Sequence, residues 1–233
     1  NLPTEARVEL LKKSGSEKEK LTLAKTSADQ GLLAMLADDP SVRVRLVLSS
    51  NDRIQGTLLH RLYIQSRQDD INAKEFRHEV ARNQQALSAT LSMILDDMPN
   101  PNEESDIVKQ VAGNRNAKPE LLQRVFDLDN NEYAADIARN ENTESELLDK
   151  ISNLDDKLVG AAKYHVALHK NTKTQTLINM FFNTLENIST EVLIDGERKS
   201  MSVRSIIISN ERIFSNENAL KYIIDNINKL KAN

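Results

Sequence analysis

Apolar residues recur along the chain at helical spacing and stop at short polar turns. Ile107, Val108, Val111 and Ala112 share one helix face and lead to Asn114. A polar run follows, and then Leu121, Leu122 and Val125 share a second face. The arrangement returns 26 residues on: Tyr133–Asn140 is one short segment, followed by Leu147, Leu148 and Ile151. In both copies an Ala stands two residues before the Asn, and a Leu pair stands seven and eight after it. Weaker traces follow the same offsets. Asn51 leads to Leu58, Leu59 and Leu62, and Asn83 leads to Leu91 and Ile94. Thr26, His169 and Asn210 stand at the remaining turns, so seven traces cross the chain.

Each trace reads as a short helix ending near Asn, a polar turn, and a second amphipathic helix. Asparagine tolerates the left-handed backbone at a helix end, and its amide can bond a neighbouring turn. Asn51, Asn83, Asn114 and Asn140 are therefore expected at equivalent helix ends. Thr143, Pro119 and Asp39-Pro40 read as helix starts. One such hairpin cannot bury both of its faces, whereas stacked copies share a core. The expected fold is all-α: a right-handed α–α superhelix, or solenoid, of about seven imperfect repeats. It should form a single domain over 1–233, with Leu121 and Leu122 buried beside Leu147 and Leu148.

The stretches 42–62, 107–125 and 133–151 carry a pattern that resembles the variant-type leucine-rich repeats of bacteria and, more loosely, HEAT-like α-solenoids. The resemblance covers about residues 20–180. That family places Pro after the turn Asn, and no copy here does. It implies a helical-repeat fold and a binding role.

Two stretches break the period. Residues 65–74 insert extra turns, and 96–106 holds two of the five prolines and reads as a loop or hinge. Residues 189–233 form an atypical C-terminal cap. Within it, Val-Leu-Ile-Asp195-Gly196 admits a hairpin turn, but the surrounding pattern favours one helix ending at Gly196 and a second capped by Ser200.

Composition narrows the chemistry. Aromatic residues are 4% with no Trp, so the core must be aliphatic, and six Gly suit helices better than the turns of a barrel. The absence of cysteine excludes disulfides, thiolate nucleophiles and Cys-based zinc or iron–sulfur sites, and fits a cytoplasmic address. The longest aliphatic runs, such as 206–208, are too short to span a membrane. Residues 68–160 carry 20 acidic side chains against 10 basic ones, which argues against a continuous basic track for nucleic acid.

Candidate chemistry is sparse. His165 and His169 have the four-residue spacing of a metal pair, but Val166 stands where a zinc protease has Glu and no third ligand is signalled. They read better as polar residues on a repeat helix. Arg43, Arg45, Arg53, Arg61 and Arg82 are candidate phosphate contacts, similar to those of HEAT-like DNA-repair proteins, yet Asp52, Glu75 and Glu79 interrupt them. Phe126, Tyr164, Phe181 and Phe182 read as packing. No catalytic constellation and no cofactor site is signalled. The favoured function is a non-enzymatic scaffold gripping a protein on a concave face, through an inner row of second helices. The alternative is a nucleic-acid-binding or DNA-repair protein using the basic N-terminal third.

Overall fold

The computed structural model describes residues 6, 8–9, 11, 15–67, 71–183, 189–194 and 197–231. Among them the chain is helical apart from one two-stranded hairpin. Contacts gather into two compact units, Asn1–Ala117 and Lys118–Asn233.

In the first unit, leading helices Glu17–Thr26, Val42–Ser49, Ala73–Arg82 and Ser105–Gly113 alternate with trailing helices Gln30–Ala37, Gly56–Ser66 and Ser88–Asp96. In the second, Pro119–Leu128 is followed by leading helices Ala134–Arg139, Asp156–Leu168 and Val203–Ser209. Its trailing helices are Ser145–Ser152, Thr174–Asn183, Glu211–Phe214 and Glu217–Lys231. The Asp156–Leu168 helix is broken at Val159, whose φ of −127° and ψ of 28° are not helical.

Local chemistry sets several of these boundaries. Ser16 opens its helix with a capping box, accepting from the Glu19 N–H while the Glu19 carboxylate accepts from the Ser16 N–H. Asp29 accepts from the N–H groups of Gly31 and Leu32. Pro119 is the first residue of its helix, where its missing N–H costs nothing. Thr143 is not a cap: Glu144 holds that place, and the buried Thr143 hydroxyl donates back to the Ile137 carbonyl.

In each unit the leading helices pack on one another in chain order, more intimately than the trailing helices do. The core of the first unit is aliphatic, with Leu32, Leu36, Val44, Leu48, Leu59, Leu62, Val80 and Leu91 fully buried around Phe76. In the second unit Leu121, Leu122, Val125, Leu147, Leu148 and Ile151 are all buried.

A polar ladder runs through the turns. Asn83 donates its amide to the carbonyls of Ser49 (2.8 Å) and Asn51 (2.9 Å), one turn back. Asn114 repeats this on Ala81 and Asn83, and Asn51 on Ala24 and Ser27. Each side-chain oxygen in turn accepts the N–H two residues on, from Arg53, Gln85 and Asn116. Asn140 and Asn210 accept likewise from Asn142 and Arg212, and Asn210 donates to the Ala167 carbonyl. The backbone at Asn83, Asn114, Asn140 and Asn210 is extended, with φ between −74° and −71°. The left-handed conformation expected from sequence is therefore not the reason for asparagine here. The reason is a short side chain that donates twice and accepts once.

The sequence reading of 191–203 as two helices is overturned. Ser189–Ile194 pairs antiparallel with Glu197–Ser202, with Ile194 opposite Glu197, and the Asp195-Gly196 turn named from sequence lies outside the described residues. The β-branched and aliphatic run Val192-Leu193-Ile194 before Asp-Gly is a strong hairpin signal. The next helix is capped by Ser202 rather than Ser200, through its acceptance from the Ser205 N–H.

Candidate functional site

The leading helices of the first unit enclose a shallow groove of about 590 Å³. Val42–Ser49 supplies its floor with the half-buried aliphatic side chains of Leu46 and Val47. These project because Val44 and Leu48, on the opposite face of the same short helix, fill the core. Lys25 comes from the last turn of Glu17–Thr26. Ala73–Arg82 lays Lys74, Glu75, His78, Glu79 and Arg82 along one wall, and Asp106 closes the far side. The His78 ring lies 3.4 Å from Glu79 and 3.9 Å from Asp106. An apolar floor inside a rim of both charge signs suits polypeptide better than a polyanion.

The five arginines singled out from sequence do not share a face. Arg43 and Arg82 lie exposed on leading helices, and Arg82 stands 4.0 Å from Glu79. Arg45 donates to the Asp39 carbonyl at 2.7 Å, and Arg53 to that of Thr26. Arg61 sits on the row of trailing helices, reaching the Ala34 carbonyl and Asp38. Three of the five hold backbone carbonyls, which is a structural use of the guanidinium fork.

The segment 96–106, expected as a loop or hinge, is anchored at both ends. The Asp97 carboxylate accepts from the Tyr63 hydroxyl at 2.8 Å and from Arg67 at 2.7 Å. Burial and this carboxylate push the Tyr63 hydroxyl far above its ordinary value. A short 3₁₀ turn, Pro101–Glu104, then delivers buried Glu104 to buried Arg77 as a two-pronged pair of 2.7 and 2.8 Å. Sequence reasoning missed both anchors. The only trace was a cation, Arg77, falling on the buried stripe of Phe76 and Val80.

His165 and His169 serve different ends. His169 replaces asparagine as a ladder rung: its Nδ1 accepts the Asn171 N–H at 3.1 Å, and its Nε2–H donates to the Asn140 carbonyl at 2.9 Å. Burial lowers its pKa, and the charges of Lys170 and Arg212 add to this. His165 lies 3.2 Å from Arg139, and burial together with that guanidinium lowers it to about 4. Both line a recess of about 310 Å³ with Arg139, Leu168 and Lys170. Among the described residues no group of three or more His, Cys, Asp or Glu is placed to hold a metal ion. Phe181 is buried, while Phe126, Tyr164 and Phe182 are half-buried. No helix among the described residues is long and apolar enough to cross a membrane.

Comparison with protein-family models, curated proteins and solved structures returns no match, so any functional reading rests on the groove itself.

Proposed function

We propose that the chain is a non-enzymatic helical-repeat scaffold of the variant leucine-rich or HEAT-like kind, a right-handed α–α superhelix of about seven imperfect units, that binds a protein partner. The recurring turn at Asn51, Asn83, Asn114, Asn140, His169 and Asn210 supports the repeat reading, since each position uses the same bonding pattern toward the residue two ahead. The observation that carries the binding role is the groove on the leading helices, with Leu46 and Val47 at its floor. We place the gripping surface at this groove on the leading helices of the first unit, where the sequence reading had favoured an inner row of second helices. Arginines spread over separate faces give the nucleic-acid alternative no shared surface.

The test is capture from the source cell by the parent chain and by Leu46→Asp, with duplex DNA in a parallel mobility shift. A protein retained by the parent and released by the variant supports the scaffold. Equal retention by both, or a salt-sensitive DNA shift without protein capture, contradicts it.

A further inference from the structure

We propose that a second recess in the first unit, of about 430 Å³, binds an organic carboxylate: one negative charge on a small apolar body. The recess lies where the end of Gly56–Ser66 meets the start of Ala73–Arg82 and the connection at Asp97 and Pro99. The observation that carries the site is Arg77. This residue is only 8% exposed, lines the recess, and gives its Nε and Nη2 to the two oxygens of Glu104. A guanidinium has a third nitrogen, and the Nη1 of Arg77 has no acceptor among the described residues. Buried donors are almost always satisfied in native proteins. Two N–H groups left over at the wall of a cavity therefore mark the place of an acceptor that the described chain does not provide.

The surrounding charges select the acceptor. Arg67 pairs with Asp97 at 2.7 Å, the other oxygen of Asp97 accepts from the Tyr63 hydroxyl, and Arg77 pairs with Glu104. Both ion pairs are neutral. The exposed ammonium of Lys74, which has no partner among the described residues, leaves one positive charge in excess at the recess. A monoanion balances that charge, whereas a phosphate dianion would exceed it beside the Asp97 carboxylate. A carboxylate also has two oxygens, one for Arg77 Nη1 and one for Lys74. Ser66 does not compete, because its hydroxyl donates to the Tyr63 carbonyl. Ile71, Ala73 and Pro99 are the apolar part of the lining, and a recess of this volume holds a body of several carbons beside the charge. The carboxylate belongs to a small molecule or to an acidic side chain of a polypeptide. Lys74 lines the groove as well as the recess, so one partner can reach both. The site itself does not depend on what the groove binds.

The probes are sodium hexanoate, hexanol, inorganic phosphate and a short end-blocked peptide with one central Glu, titrated into the full chain at fixed ionic strength and followed by amide chemical shifts. Hexanoate should give saturable shifts centred on 63–67, 73–77 and 97–99, and hexanol should give none there. The affinity for hexanoate should fall at least roughly fivefold in Lys74→Ala and further in Lys74→Glu. It should be unchanged in Arg61→Ala and in Leu46→Asp. Arg77→Lys keeps the charge but cannot hold Glu104 side-on and reach the ligand together, so it should weaken binding as well. Circular dichroism checks that this buried variant folds, and exposed Lys74 keeps the test decisive where it does not. Peptide binding that weakens in both Lys74→Glu and Leu46→Asp assigns the carboxylate to a partner lying in the groove. Hexanoate binding with the peptide excluded assigns it to a small molecule, and either result supports the site. Hexanol binding as well as hexanoate, or phosphate binding more tightly, overturns the proposal. So does the lack of any saturable shift from hexanoate or peptide, which would leave Nη1 serving only water. None of these outcomes touches the scaffold reading, whose test is protein capture.

Discussion

The turn asparagine shows how one side chain couples local backbone to a neighbour. Asn114 is fully buried, satisfies the carbonyls of Ala81 and Asn83, and accepts from the Asn116 N–H. Asn114→Ala takes these bonds from the Ala81 carbonyl and the Asn116 N–H, while the Asn83 carbonyl keeps the Ala86 N–H, so urea unfolding should show a loss of roughly 2–4 kcal/mol. Asn114→Asp should cost more, because it sets a carboxylate against two carbonyl oxygens; a loss under ~0.5 kcal/mol for either variant would refute the ladder's role. His169 makes its rung the titratable one. An unfolded histidine binds its proton near ~6.5, whereas burial holds folded His169 lower and His165 at about 4. Below ~6.5 the unfolded chain therefore takes up protons that the folded chain refuses. The stability tied to these groups is complete above that pH and declines as pH falls toward about 4. The urea midpoint should drop between pH 7 and 5, and the drop should shrink in His169→Asn, whose amide keeps both rung bonds. An identical drop in that variant would mean that His169 is not the group responsible.

At the scale of elements, two glycines separate space from constraint. A Cβ on Gly56, at a helix start, would lie 2.6 Å from the Gln85 carbonyl oxygen and 2.9 Å from Leu87. Gly56→Ala should therefore destabilise by ~1–3 kcal/mol through overpacking. Gly113 ends its helix exposed, with nothing within 4 Å of a Cβ, so Gly113→Ala should stabilise by ~0.5–1 kcal/mol. Thermal melts of the pair distinguish them by sign, and equal shifts would contradict the close approach at Gly56. What the sequence made legible at this scale follows from periodicity. The helices at 107–113, 119–128 and 145–152 were readable because apolar spacing and Pro119 agree on them. The hairpin was not, because neighbouring helical patterns outweighed Val192-Leu193-Ile194-Asp195-Gly196, the better local signal. Nor was 96–106, whose order depends on Tyr63, Arg67 and Arg77, some 27 to 34 residues earlier. Helical periodicity carries no information about such distant pairs. The groove lay between these extremes. Leu46 and Val47 were visible as apolar residues, but only the packing of successive leading helices sets them beside Glu75 and Glu79.

At the scale of the whole molecule, the proposed scaffold has each hairpin lean on its neighbours through aliphatic cores and ladder bonds to the preceding turn. Stability in such a chain is close to a sum of local terms, and damage should stay near its origin. Leu148 is fully buried, as are Leu122 and Ile151. Leu148→Ala should cost ~2–5 kcal/mol through lost burial and the cavity left behind. Native-state hydrogen exchange on that variant is the most direct measurement. Neighbour-only stacking predicts faster exchange centred on 134–183, with the amides of 17–66 as protected as in the parent. Equal loss of protection across both stretches, or no loss at 134–183, would contradict it.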